Sequence, residues 1–466
     1  MKTKVITSNR KICVIGGGIS GLAAAFLLKN EGFEVRLVEK SDRTGGSIET
    51  GRIDGFLIEF APNSLLKSPR LVELIRELGL ESEVLAADAA NKKRYVLQDG
   101  KLKSLPMSIA RMAADGFFSW KGKIRLLKEP FVRSRSPDNE SVAEFFERRF
   151  GREIVEKAAD PFISGIYAGN PKNLSVKSAF PRLYELEKEY GSVLVGSLRS
   201  KTEVPDKDFP HTFSFRDGIQ SLTNRLALKL GESIKANTDV TSIEKTTNGK
   251  FSVLTEQIQD AGMMPAVRED FDAVMISTPA ASAAKLIENI NSKLSGQLKT
   301  VYYPPVAMVF FGVKKESILR DLDGFGFLVP SSEKRKILGT IWNSSVFPDR
   351  APKGYHLLTT FVGGARKAGV FEKSDEELFE IVYGELNDIL GLNAIPAFRH
   401  IKRWPKAIPQ YEIGYDKVEV AIEDFERDNK GIFFCSNFYR GISVGDCVKN
   451  SYGIADRISD FLIDNK

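Results

Sequence analysis

The sequence predicts an α/β protein: a parallel-sheet domain, split along the chain by a helical segment and a mixed-sheet segment. Three observations predict it. A glycine-rich turn lies between an apolar run and a helix-forming run near the N-terminus, at "KICVIGGGISGLAAAFLLKNEG". Residues from about 105 to 200 carry helix-type periodicity. Residues 300–415 alternate apolar and polar side chains in short strand-like runs. With 466 residues the chain is also long enough for two or three domains, each with its own core.

"KICVI" is a short β-branched run suited to a buried parallel strand. Gly16, Gly18 and Gly21 then form G-x-G-x-x-G, a helix former follows up to Gly32, and "EVRLVEK" is a second strand with Glu39 at its end. This is a Rossmann-like βαβ fingerprint in its proper context. Gly16 permits the tight turn, Gly18 lets a pyrophosphate near the backbone, and Gly21 lets helix and strand pack. The helix N-terminus faces the phosphate charge. Gly16, Gly17, Gly18, Ile19, Ser20 and Gly21 are therefore assigned to the dinucleotide. Glu39, with Lys40 beside it, is assigned to the ribose end, which argues against a 2′-phosphate. The rival explanation, a glycine-rich turn with no ligand, leaves the register of strand, helix, second strand and acid unexplained.

Further along, "SPRLVELIRELGL" is an amphipathic helix ended by Gly79, and Ser141 with Glu144 has capping-box spacing. "SLRSKTEVPDKDFP" is a polar surface loop, and "HTFSFRDGIQSLTNRLALKLG" returns to strand, turn and helix. "IKANTDVTSIEK" and "FSVLTEQ" predict a hairpin around Asn248-Gly249, and "FDAVMISTP" a buried strand stopped by Pro279. "AMVFFGV", "FGFLVP", "ILGTIW" and "HLLTTFVGG" are further strands. The C-terminal "GIFFCSNFYRGISVGDCVKNSYGIADRISDFL" is a strand, a glycine-bearing loop and a helix. The expected organisation is a cofactor domain in three parts (1–80, 206–285, 415–466), a helical domain (81–205) and a substrate sheet domain (286–414).

Composition narrows the function. Hydrophobic residues at 42% and charged residues at 27% describe a globular protein, and a net charge of +6 is too modest to suggest nucleic acid. It suits anionic small molecules or an anionic membrane surface. Three histidines (His211, His356, His400) and three cysteines without C-x-x-C offer no metal-site pattern, and few cysteines suit a reducing compartment. The basic N-terminus lacks an apolar signal region, and no apolar run reaches the roughly 20 residues of a membrane-spanning helix.

A second glycine pair, Gly45 and Gly46 after Arg43, brings another loop towards the same pyrophosphate and resembles FAD enzymes of the amine-oxidase-like class. Over nearly its whole length the chain is similar to the oxygen-dependent protoporphyrinogen oxidase family. "DPFISGIYAGNPKNLSVKSAFPRLYELEKEYGS" resembles that family's helical-domain signature, and "FSFRDGIQSL" its F-S-F-x-x-G-x-x-x-L segment. "GFLVPSSE", "LGTIWNSSVFPDRAP" and "LLTTFVGG" resemble its substrate strands, and "GISVGDCVKNSYGIA" its terminal flavin motif. The resemblance implies noncovalent FAD and a six-electron oxidation of protoporphyrinogen IX in haem biosynthesis. Hydride passes to the flavin in three two-electron steps, and oxygen regenerates it with release of hydrogen peroxide. The flavin supplies the redox chemistry, so no catalytic side chain or metal is assigned.

Residue by residue, the resemblance places Ala61, Pro62, Asn63 and Ser64 beside the flavin ring and Val240 by the adenine. Trp404, Ile442, Ser443 and Val444 complete the cofactor set. Arg94 matches an arginine that pairs with a porphyrin propionate, which a guanidinium fork binds bidentately. Its bland alternative is a solvated turn arginine beside Lys92 and Lys93. Phe325, Gly326, Leu328, Ile341 and Phe361 match positions that sandwich the macrocycle; their bland alternative is core packing. Cys435 and Cys447 are expected to be buried structural thiols. Residues 105–133 mix Met107, Ile109, Phe117, Phe118 and Trp120 with Arg111, Lys121, Lys123, Arg125 and Lys128, a pattern suited to an interfacial helix on anionic lipid. The family suggests a peripheral or monotopic protein on the inner face of the cell membrane, and a homodimer. Three other functions stay open: coproporphyrinogen III oxidation, an amine oxidase or carotenoid desaturase, and a flavin-containing tetrapyrrole carrier without turnover.

Overall fold

The computed structural model describes residues 10–88, 93–106, 111–112, 116–200, 209–259, 262–263 and 265–464. Strand β1 (Lys11–Ile15), helix α1 (Ile19–Asn30) and strand β2 (Glu34–Val38) form the predicted βαβ unit. β1 lies at the centre of a five-stranded parallel sheet. The strand order is Ile234–Lys235, β2, β1, Ala273–Ile276, Ile432–Phe434. Alternation sorts its side chains into two cores. Ile12, Val14, Val35, Leu37 and Met275 pack with α1 and the C-terminal helix Val444–Asp464. Cys13, Ile15, Val38, Val274 and Ile276 pack on the other side, against Ala280–Ile287 and Asp416–Asp428.

The chain leaves β1 towards β2 on one side and returns on the other side at Ala273–Ile276. That crevice is the switch point where open α/β sheets bind dinucleotides. The expected hairpin is present: Thr238–Lys245 pairs antiparallel with Phe251–Gln259, and Gly249 takes φ +81° in the turn. The Ser141–Glu144 capping box is also present.

A seven-stranded sheet carries most of the segment expected to bind substrate. Its order is Phe398–Trp404, Val306–Lys314, Tyr355–Gly363, Ile337–Ile341, Gly324–Leu328, Lys93–Gln98, Lys101–Ser104. One face packs Phe311, Trp342, Leu358 and Val362 against helix Asp375–Leu390.

Three expectations change here. Residues 93–104 fall in the segment expected to be helical, yet form two strands of this sheet, with a turn at Asp99-Gly100 where both residues take positive φ. Ile234–Lys235 joins the parallel sheet instead of the hairpin. In the stretch 105–133, Phe117 and Phe118 are 1% and 3% exposed in the helical core, and Arg125 donates to the carbonyls of Arg148 and Arg149. Met107 and Ile109 lie outside the described residues, as do Lys92 and residues 201–208 of the expected surface loop.

Candidate flavin cradle and substrate face

The glycine loop is held from below. Gly16 takes φ +106° and donates to the Val38 carbonyl at 2.8 Å. A Cβ there would lie 2.9 Å from the Ser277 carbonyl oxygen, and one at Gly21 only 2.0 Å from the Gly16 carbonyl oxygen. Glu39 accepts from Gly17 N–H and Ser41 N–H, each at 2.7 Å, so the carboxylate expected at the ribose end also fixes the loop. The second glycine pair arrives as expected: Gly45 N–H donates to the Gly17 carbonyl at 2.7 Å, and Gly46 packs on Gly18. Arg43 secures that loop through the carbonyl of Gly46 at 2.8 Å and the Glu49 carboxylate at 3.2 Å. Lys40 pairs with Asp239 at 2.6 Å on the surface, next to buried Val240.

Gly18 is different. A Cβ at this position would meet no protein atom within 4 Å. The α1 N-terminus it opens has no side-chain cap and no acidic residue in its first turn. Nearby at the switch point, the hydroxyls of Ser277 and Thr278 are buried without a hydrogen-bond partner. Open backbone, uncapped helix N–H groups and unpaired hydroxyls suit an anionic dinucleotide. Ser277 and Thr278 were missed in the sequence, where "ISTP" shows only a strand stop.

The residues expected beside the flavin ring follow the strand Phe56–Ala61. Ala61, Pro62, Asn63 and Ser64 are all half-buried. The Trp404 indole donates to the Phe60 carbonyl at 2.8 Å, and Lys402 lies over both the Phe60 and Trp404 rings while pairing with Glu49 at 2.6 Å. At the C-terminal helix, Ile442 and Val444 are half-buried. The Ser443 hydroxyl donates to Asp446 at 2.6 Å and accepts the Asp446 N–H at 3.0 Å, so this side chain serves as a helix cap. All three cysteines are free and buried. Burial pushes the Cys435 thiol up to about 12 and Cys447 to about 11, so both stay protonated at neutral pH.

The expected substrate residues meet on one sheet face. Arg94 is opposite Gly326, Gly326 opposite Ile341, and Ile341 opposite Thr359. The next row aligns Val96, Leu328, Gly339 and Phe361. Directly opposed residues share a face, so Arg94, Gly326, Leu328, Ile341 and Phe361 all point the same way. Phe325 comes from a register irregularity between Gly324 and Gly326. Leu328, Ile341 and Phe361 are half-buried in mid-sheet, where apolar side chains are normally covered. Gly165, on helix Asp160–Tyr167, packs on Leu328 from above. The Gly326 vacancy has a local cause: a Cβ there would sit 2.1 Å from the Thr340 carbonyl oxygen.

The Arg94 guanidinium lies 4.4 Å from the Phe325 ring centroid. Burial alone shifts it, downwards, and no carboxylate among the described residues pairs with it. A partly desolvated guanidinium with only a ring for company is chemically suited to an anion.

The sheet face and the loop holding Asn63 are joined by Asn343, which the sequence did not single out. Its Nδ2 donates to Asn63 Oδ1 at 2.8 Å, and its Oδ1 accepts from Thr359 Oγ1 at 2.7 Å.

Residues 19–459 match the family model "Flavin containing amine oxidoreductase". The chain belongs to this family. Among its relatives in the family is the mitochondrial protoporphyrinogen oxidase of Nicotiana tabacum, 34% identical over 98% of this chain and 96% of the relative. The coproporphyrinogen III oxidase of Bacillus subtilis (strain 168) is 29% identical over 94% and 96%. A crystal structure from Exiguobacterium sp. 255-15 shares the flavin oxidoreductase fold with a TM-score of 0.78 at 24% identity, covering 97% of this chain and 99% of that one.

Proposed function

We propose that the protein is a noncovalent FAD oxidase that converts protoporphyrinogen IX to protoporphyrin IX in haem biosynthesis, with oxygen as acceptor and release of hydrogen peroxide. The observation that carries this reading is the Arg94 row: one unpaired guanidinium at the edge of a half-covered apolar floor, linked by Asn343 to the flavin loop. Leu328, Ile341, Phe361 and the Phe325 ring supply flat apolar contact, and Arg94 binds a propionate at the rim. Bound FAD would supply the hydride acceptor. The chain's own part is to hold the macrocycle and exclude water from the reacting carbon. Relatives bearing both enzyme names leave coproporphyrinogen III as the rival substrate. Its four propionates call for more cations than the single unpaired guanidinium of this row.

Anaerobic mixing with each porphyrinogen tests this. Protoporphyrinogen IX should bleach the flavin fastest and yield fluorescent porphyrin; faster bleaching by coproporphyrinogen III reverses the assignment, and bleaching by amines alone defeats both. Arg94→Ala should raise KM about tenfold or more, the value of a charge-assisted hydrogen bond, with a smaller change in kcat. An unchanged KM would mean that the propionate binds elsewhere.

The lipid-facing set narrows to a stripe with helical spacing: Trp120, Ile124, Leu127 and Phe131 are 77%, 49%, 60% and 81% exposed. Lys123 lies over the Trp120 ring, and Lys121 and Lys128 are exposed beside it. No described helix is long and apolar enough to cross a membrane. Such a stripe fits peripheral attachment to anionic lipid on the inner membrane face. Trp120→Ser/Phe131→Ser should shift the protein from the pellet to the supernatant in sedimentation with anionic vesicles. Undiminished pelleting would rule the stripe out as the anchor.

A further inference from the structure

Asn343 stands at the start of a short helix, Asn343–Val346, directly after the strand Ile337–Ile341. It is 5% exposed and contacts two different parts of the protein. One amide atom holds Asn63, 280 residues away in sequence, and the other holds Thr359, itself fully buried. Ser344 straps the same short helix to the same strand, accepting from Leu357 N–H at 3.0 Å. Thr359 occupies the cross-strand row that contains Ile341, Gly326 and Arg94.

An amide side chain has one donor end and one acceptor end. The Asn63 acceptor oxygen is taken by Asn343, so its Nδ2 remains the donor that faces away from this contact. Thr359 Oγ1 donates to the Asn343 carbonyl oxygen, and in this arrangement the Asn343 Nδ2 is the end that donates to Asn63. We infer that Asn343 is a positioning residue: with Thr359 it fixes the Asn63 amide as a hydrogen-bond donor towards the reaction site, in register with the carboxylate anchor at Arg94. This rests on the flavin and porphyrinogen reading above. A donor held at one end and an anchor at the other, on one rigid sheet row, keep the macrocycle at a constant offset from the flavin loop. Misplacements of about 1 Å at such a site cost up to a hundredfold in rate.

The test uses the full-length, FAD-loaded protein and variants at two positions of the chain. Asn343→Asp keeps the size but removes the donor to Asn63, and the amide of Asn63 then turns its oxygen outward. The expected result is a fall in kcat of about tenfold or more, KM within about threefold, and a shifted visible spectrum of the bound flavin. Thr359→Val should show the same direction of change and Thr359→Ser should restore wild-type behaviour. A double-mutant cycle separates positioning from general damage. In an Asn63→Ala background, Asn343→Asp should change kcat less than twofold. A full loss in that background, or a wild-type spectrum and kcat in Asn343→Asp alone, overturns the proposal. If the wild-type protein takes up FAD but turns over neither porphyrinogen, the underlying functional reading has failed; the flavin spectrum still decides the role of Asn343.

Discussion

Arg350→Met is expected to destabilise the fold by about 3–5 kcal/mol, the cost of leaving a buried charge without its partner. Arg350 and Glu59 are each 2% exposed at the side chain, with nitrogen and oxygen 3.6 Å apart. Arg350 also donates to Ser214 Oγ at 2.6 Å and to the Phe215 carbonyl at 3.0 Å. Glu59 accepts from Thr50 Oγ1 at 2.6 Å and from Ile219 N–H at 2.9 Å. The pair therefore pins the hairpin leading to the Asn63 loop against the strand Thr212–Phe215 and the turn at Arg350.

The loss should depend on pH, with a definite sign. Burial raises the Glu59 pKa, and Arg350 is the strongest influence holding it down. Without Arg350 the folded-state pKa rises further. The native state then keeps a proton that the unfolded chain releases above about pH 4.3. Stability of the variant must fall as pH rises from there through the raised folded-state value. Denaturant unfolding of both proteins at pH 5 and pH 8 should show the larger deficit at pH 8. A loss below about 1 kcal/mol, or equal losses at both pH values, would show that Glu59 does not need this arginine.

Gly21→Ala and Gly18→Ala should part company although they lie three residues apart. A methyl at Gly21 meets the Gly16 carbonyl at 2.0 Å, and backbone cannot yield as a flexible side chain does. Loop and helix must separate, so the variant should purify without yellow colour. Its apoprotein should lose about 1–3 kcal/mol, the usual cost of overpacking. A methyl at Gly18 meets nothing, so the apoprotein should melt like wild type. If the open side of the loop takes the pyrophosphate, as proposed, that methyl projects into it, and FAD retention should drop. Apoprotein melting curves together with bound FAD per chain check both. Wild-type FAD affinity in Gly18→Ala would mean that the open side of the loop faces no ligand.

These two glycines also show what a sequence can disclose. The βαβ unit was legible because its signals are local: a β-branched run, three spaced glycines and an acid at the next strand end. The capping box at Ser141 and the hairpin at Asn248-Gly249 were legible for the same reason. Residues 93–104 carried a local signal too, Asp99-Gly100 between two short strands, but the helical surroundings obscured it. That Arg94 lies opposite Gly326 was not legible, because no local pattern announces pairing across 232 residues. Asn343 left no trace at all. Its residue type has no periodicity, and its partners come from two distant segments. Gly326 shows the converse: the resemblance placed it on the macrocycle wall, while a side chain there is already excluded by the Thr340 carbonyl.

The central sheet takes its strands from residues 11 to 434, and Ser451 on the final helix donates to the Ser20 carbonyl at 3.0 Å. During synthesis, the first βαβ unit thus emerges from the ribosome long before its neighbours exist. Strands Ile234–Lys235 and Ala273–Ile276 follow much later, and the flank of α1 covered by helix Val444–Asp464 stays open until that helix has been made, an interval in which nascent-chain chaperones can engage it. A chain stopped before residue 432 would lack both the strand Ile432–Phe434 and this helix, leaving that edge of the sheet and that side of α1 uncovered.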